Sequence, residues 1–327
     1  MNEVTRIHVG DRYSGFYPGK TMKTYQTLID VALTALAPII WGSTYIVTTE
    51  LLPKDLPLLA SMIRALGAGL ILLLFCKIRP VGMWWGKIVV LGSLNIGLFF
   101  YCLFAAAYYL PGGLAALVMS VQPLIVMGLG VIFFQSKLSL PHLLSALLGV
   151  FAISLLVLNS TVKLNGWGVS FGLIGSCSMA LGILLTKHWG RPEGMSLLGF
   201  TGWQLTLGGL ILLPIALWYE DVPEVLTIWN ISGYAYLSLV GGVFGYLVWF
   251  RGIEKLNPVT TSFLGFLSPV SASLLGYLIL EQSLTQLQLV GALAIIASVY
   301  MTRPQTQQLS VPTKSPSPPH DHKEDEK

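Results

Sequence analysis

Charge is what this sequence has least of. Its 327 residues hold 19 basic and 15 acidic side chains, 10% of the chain, where soluble globular proteins carry about 25%. Cysteine is nearly absent as well. Cys76, Cys102 and Cys177 each sit inside an apolar run, without metal-ligand spacing, and read as small core residues rather than a disulfide or redox pair. There is no Walker A or dinucleotide-binding motif, which counts against ATP as a drive. No paired acids, histidine cluster or Gly-x-Ser-x-Gly elbow falls within the apolar runs, which counts against an intramembrane enzyme. A net charge of +4 is too mild to imply nucleic acid, and no cofactor or metal is expected. Roughly the first 25 residues are polar and mixed, so no cleavable signal peptide is expected. What abounds is hydrophobic sequence, 54% of residues. These features together predict an all-α polytopic membrane protein in a lipid bilayer.

Windows of about 20 apolar residues predict ten transmembrane helices between Leu28 and Thr302. Lys and Arg fall unevenly between them. Sixteen lie on one side of the alternating links and only Lys54 and Lys163 on the other. Basic links stay in the cytoplasm, so both termini are expected there. Arg64, the remaining basic residue, belongs to neither side because it lies within span two.

The chain also matches itself. Gly69-Leu70-Ile71-Leu72-Leu73 recurs as Gly209-Leu210-Ile211-Leu212-Leu213, an offset of 140. Ser93-Leu94 with Gly97, Phe99 and Tyr101 recurs at 145 as Ser238-Leu239 with Gly242, Phe244 and Tyr246. Pro123, Gly130 and Leu138 recur at 146 as Pro269, Gly276 and Leu284, and Gln135 falls on Glu281. A repeat with an odd number of spans inserts its second copy upside down, and the matched links differ in charge accordingly. The expected organisation is a cytoplasmic segment 1–27, a first five-helix repeat 28–160, an inverted second repeat 166–302 and a disordered cytoplasmic tail 303–327. Inverted repeats are a plan of secondary transporters, with the substrate held near the midplane where the halves meet.

Ala37-Pro38-Ile39-Ile40-Trp41-Gly42-Ser43-Thr44-Tyr45, Arg64, the Pro123/Pro269 pair and Glu281-Gln282-Ser283-Leu284-Thr285 resemble the EamA family of the drug/metabolite transporter superfamily. The likeness extends over about Leu33 to Met301. It implies a multi-pass carrier of the cell inner (plasma) membrane that exports amino acids or other small metabolites. Within the family, Thr34 to Pro53 most resembles permeases that export the blue pigment indigoidine. Efflux of a pigment or drug-like compound is therefore an alternative, and a channel-like or structural membrane protein is another of a different class. The family often carries Glu at the end of span four, where this chain has Gln135.

The candidate site residues are few. Arg64 lies about 10 Å into span two at 1.5 Å per residue, where an unpaired guanidinium costs about 2.5–3.5 kcal/mol. It reads as a gate or as an anchor for a substrate carboxylate, or else as a structural Arg satisfied by a carbonyl or by Glu50. Trp41 and Tyr45 in span one and the symmetric pair Tyr101 and Tyr246 are candidate aromatic walls. Gln122 and Ser268 are candidate hydrogen-bonding groups beside Pro123 and Pro269, which are expected to break spans four and nine as hinges or else as packing kinks without ligand contact. Glu50 and Glu281, with Asp30, are candidates for proton coupling, set against a plain role as water-exposed helix ends. Gly168/Gly172 and Gly241/Gly245 have the spacing of close helix packing. The tail motif His320-Asp321-His322 is too sparse for a metal site.

Overall fold

The computed structural model describes residues 18–76, 78–110, 112–137, 139–157, 165–281 and 285–302. The segment before residue 18, the tail with His320 and His322, and the side chain of Tyr45 lie outside the described residues. Among the described residues every regular element is a helix, and there is no strand. Helix α1 is Pro18–Leu51 and α2 is Pro57–Leu74. Helix α3, Trp84–Tyr109, contains a π-helical turn at Ser93–Gly97. Helix α4 runs as Gly112–Met119 and Gln122–Phe134, and α5 is Leu140–Val157. Helices α6, Gly166–Trp189, and α7, Leu197–Tyr219, follow. Helix α8, Ile228–Lys255, contains a second π turn at Leu237–Phe244. Helix α9 runs as Pro258–Leu264 and Leu267–Ile279, and α10 is Gln286–Met301.

Among the described residues, eight helices are long and apolar enough to cross a membrane. This differs from the ten spans read from the sequence. The apolar stretches Leu140–Leu155 and Gln286–Met301 are shorter; α10, at 16 residues, rises only about 24 Å against a hydrocarbon core of about 30 Å, while α5 has the same 18 residues as α2. Helices α5 and α10 pack along each other, and Ser298 Oγ of α10 donates to the Ser145 carbonyl of α5 at 2.7 Å.

Local sequence explains where the helices start. Asn165 caps α6 by accepting from Trp167 N at 2.9 Å, and Ser196 caps α7 through Gly199 N at 3.2 Å. Thr227 with Asn230 and Thr285 with Gln288 form reciprocal capping boxes on α8 and α10. Pro123 and Pro269 sit in the first turn of the second segments of α4 and α9, just after the breaks at Ser120–Val121 and Gly265–Phe266. An early proline forfeits only an amide that lacks a helical partner anyway, so each break precedes its proline.

The irregularities come in pairs at the spacing of the sequence repeat. Both π turns, both interrupted helices and the left-handed residues Gln135 (φ 51°) and Glu281 (φ 52°) follow it. The α2–α7 crossing at the centre is reciprocal. A Cβ on Gly69 would lie 2.5 Å from Thr206 N, and one on Gly209 would lie 2.8 Å from Leu66 N. Leu66 and Thr206 are themselves 140 apart, so each helix presents the same patch to the other. Such backbone-to-backbone approach is how apolar helices gain contact where solvent supplies no hydrophobic drive.

Glu220, one residue beyond α7, caps the start of α2, accepting from Leu58 N at 2.7 Å and Leu59 N at 2.6 Å. Burial raises its pKa above the ordinary carboxylate value, and the two amide bonds offset this in part. A raised folded-state pKa means that ionisation works against the fold. The contribution is full below the unfolded carboxylate pKa of about 4.3 and is lost as pH rises through Glu220's higher value. The melting temperature of the wild type relative to Glu220→Gln is therefore expected to fall across that window. A pH-independent difference in detergent melts would contradict the assignment.

Candidate functional site

Helix α2 carries Arg64 inward against the π turn of α8. A π turn shifts the backbone pairing and leaves carbonyls free for side chains, which is why such turns gather at functional sites. Here the Gly241 carbonyl accepts from Arg64 Nη2 at 3.3 Å and from Trp41 Nε1 of α1 at 3.0 Å. Three rings surround the guanidinium, with Phe100 at 5.4 Å, Tyr246 at 5.7 Å and Trp41 at 5.8 Å from its carbon. Trp41 in turn lies 5.0 Å from Tyr246 and 5.2 Å from Trp249. Arg64 is 9% exposed and Tyr246 1%, so the cage is closed.

Among the described residues, the cation in this cage has no counter-ion. The ion pairs among the described residues, Arg191–Glu254 and Arg251–Asp30, lie elsewhere. Glu50 is exposed at the end of α1, bonded by Thr49. Cation–π contact returns about 0.5–2 kcal/mol per good ring, against a desolvation cost of several kcal/mol for a lone buried ion. Arg64 Nε is buried without a hydrogen-bond partner. The arrangement therefore holds a positive charge and a free donor in a dry aromatic setting, where an incoming carboxylate would be bound strongly.

The position equivalent to Arg64 in the second half is Gln204 on α7, which meets the π turn of α3 in the matching way. Asn95 Nδ2 donates to Gln204 Oε1 at 3.0 Å and to Thr186 Oγ1 of α6 at 3.1 Å. All three residues are fully buried. One half thus carries a charged site and the other a neutral amide site at corresponding places.

A family model described as the EamA-like transporter family matches residues 28–158 and again 166–303. The chain belongs to the EamA-like transporter family. EamA proteins are transporters, not enzymes, embedded in a membrane and acting on small molecules. The chain is 47% identical over 267 residues to Protein PecM of Dickeya dadantii (strain 3937), covering 82% of this chain and 90% of that protein. It is 26% identical over 290 residues to a probable amino-acid metabolite efflux pump of Salmonella typhimurium, covering 83% and 94%. One solved crystal structure shares the fold, with a TM-score of 0.67 at 16% identity over 83% of this chain and 96% of that one.

Not every candidate residue of this EamA protein lies in the cage. Trp41, Arg64 and Tyr246 are brought together. Tyr101 turns away, because its neighbour Phe100 takes the inward face, and its ring meets Phe171 of α6 at 6.1 Å. Gln122 and Ser268 lie beside their prolines at the helix breaks, half-buried, and the Ser268 carbonyl comes against Gly42 of α1. Glu281 is exposed and left-handed at the end of α9, as Gln135 is at the end of α4. Asp30 accepts from Arg251 Nη2 at 2.6 Å. Phe100, Trp249, Asn95 and Thr186 were not singled out from the sequence, and Gly241 only as a packing glycine. Asn95 had a readable signal, a lone amide within an apolar run. A phenylalanine or glycine in such a run carries none.

Proposed function

We propose that this EamA protein is a secondary exporter of amino acids or related small metabolites, with Arg64 anchoring the substrate carboxylate. The observation that carries this is the buried, uncountered guanidinium with its free Nε. Trp41 and Tyr246 wall the site in this reading, with Tyr45, Tyr101, Gln122 and Ser268 joining it in other conformations as the helix breaks beside Pro123 and Pro269 flex. Transport is by alternating access between two inverted five-helix repeats, residues 28–160 and 166–302. The paired irregularities, the reciprocal α2–α7 crossing and the two separate family matches support that organisation. Helices α5 and α10 then complete ten crossings, the shorter α10 by local thinning of the bilayer, and both termini face the cytoplasm of an inner membrane. The aromatic cage favours one second reading, a flat pigment-like substrate in place of an amino acid.

Uptake of labelled compounds into inside-out vesicles tests this. Amino acids are expected to accumulate above vesicles lacking the protein and to compete with one another. Accumulation of a planar pigment that amino acids fail to inhibit would favour the second reading, and no accumulation of either would remove both. Glu50 and Glu281 are the proton candidates, and a flux unchanged by an imposed pH gradient would eliminate them.

A further inference from the structure

The link from α6 to α7 and the end of α8 line an open pocket of mixed polarity that shares no residue with the Arg64 cage. Its volume is about 430 Å³, and Thr186, Lys187, Gly190, Arg191, Gly194 and Glu254 lie on its wall. This is within the range of small-molecule sites, about 300–1,000 Å³. Gly190 (φ 67°) and Gly194 (φ 74°) take left-handed conformations that shape the link around it.

The charges of this pocket do not balance. Two cations face one carboxylate. Arg191 Nε pairs with Glu254 Oε1, and Arg191 Nη1 donates to the Met195 carbonyl at 3.1 Å. Lys187 Nζ donates to the backbone carbonyl of Glu254 rather than to its carboxylate. An ammonium has three donors and a guanidinium five, so donors outnumber these acceptors. The Arg191 and Glu254 side chains are 34% and 19% exposed, so the pair is reachable from water and exchangeable. Thr186 on the wall accepts from Asn95, which joins the pocket to the buried amides of Asn95 and Gln204.

We infer that this pocket is a loading site for a small carboxylate-bearing anion, which displaces the Glu254 carboxylate from Arg191 and takes a second contact from Lys187. It lies at the Lys- and Arg-rich end of the helices, cytoplasmic in the transport reading above. The inference rests on that reading and extends it to net-negative metabolites. The competing explanation is that Lys187 and Arg191 merely offset the partial negative charge at the ends of α6 and α8.

Thermal melting of the full chain in detergent, titrated with succinate and with its neutral diamide succinamide, separates the two. Succinate is expected to raise the melting temperature saturably and succinamide to leave it unchanged. Arg191→Gln should weaken the apparent affinity about tenfold or more, since a charge-assisted hydrogen bond contributes that much. Glu254→Gln, with the internal competitor gone, should tighten it severalfold. Arg64→Gln removes the other carboxylate anchor. A saturable succinate shift that survives in it and is lost in the Arg64→Gln/Arg191→Gln double variant therefore belongs to this pocket whatever becomes of flux, and a failed loading site and a failed transport reading give different results. An equal effect of succinamide, no saturable shift in the wild type, or an unchanged affinity in Arg191→Gln would overturn the inference. So would a loss of binding in Glu254→Gln that matches Arg191→Gln while both variants melt as the wild type does.

Discussion

Arg64→Gln is expected to lose transport by about a hundredfold while reaching the membrane at normal levels. Truncating one partner of a buried charged contact costs about 2–5 kcal/mol, and each 1.4 kcal/mol is a factor of about ten. Glutamine is the informative replacement because the protein already uses it at the corresponding place. Gln204 occupies the matching crossing beside the π turn of α3 and is fully buried there. A glutamine at 64 should therefore fit the α2–α8 contact. The stability readout separates a binding role from a structural one. Removing an uncountered buried cation relieves desolvation, so the melting temperature should stay level or rise. Replacing a structural arginine would instead lose its bond to Gly241, which keeps only Trp41, together with its ring contacts, and lower the melting temperature. Wild-type flux in the variant, or loss of fold along with loss of flux, would contradict the assignment.

The second large effect is structural. Gly69→Leu and Gly209→Leu are each expected to destabilise the protein by at least about 1–3 kcal/mol, the usual cost of overpacking a tight core. The reason is which atoms stand in the way. At both positions the first added carbon meets backbone nitrogen of the facing helix, Thr206 N or Leu66 N. Backbone cannot rotate aside as a side chain can, so the α2–α7 crossing must open. Gly128→Leu is the control, since nothing lies within 4 Å of a Cβ there. Thermal melts of the three variants check this. Gly69 and Gly209 variants that melt like Gly128→Leu would show that the two helices do not approach as described.

Much of the fold was legible because membrane insertion leaves a coarse imprint. The scarcity of charge and the recurrence of Gly69-Leu70-Ile71-Leu72-Leu73 at 209–213 are both visible in one dimension. Arg64 was legible for the same reason, as a charge where lipid tolerates none. Helix length was less so: an apolar run places α10 but does not reveal that its helix falls short of the hydrocarbon thickness. The rest of the cage was hidden. Its key acceptor is a backbone carbonyl at Gly241, exposed by a π turn that the apolar string at 237–244 does not announce. The divergence of Tyr101 from Tyr246 was also hidden. Sequence symmetry made them equivalent, but Tyr246 faces Arg64 itself, whereas on α3 the neighbouring Phe100 faces it and Tyr101 meets Phe171 of α6.

Counterflow in proteoliposomes tests the central claim most directly, that Arg64 holds substrate in a site exposed to one side at a time. Vesicles preloaded with an unlabelled amino acid identified by the uptake screen are placed in trace labelled amino acid outside. The expected result is a transient, saturable overshoot of label in the wild type and none in Arg64→Gln. Flux that rises linearly with concentration, shows no stimulation from the opposite side and is the same in Arg64→Gln would mean a channel, and would contradict the claim.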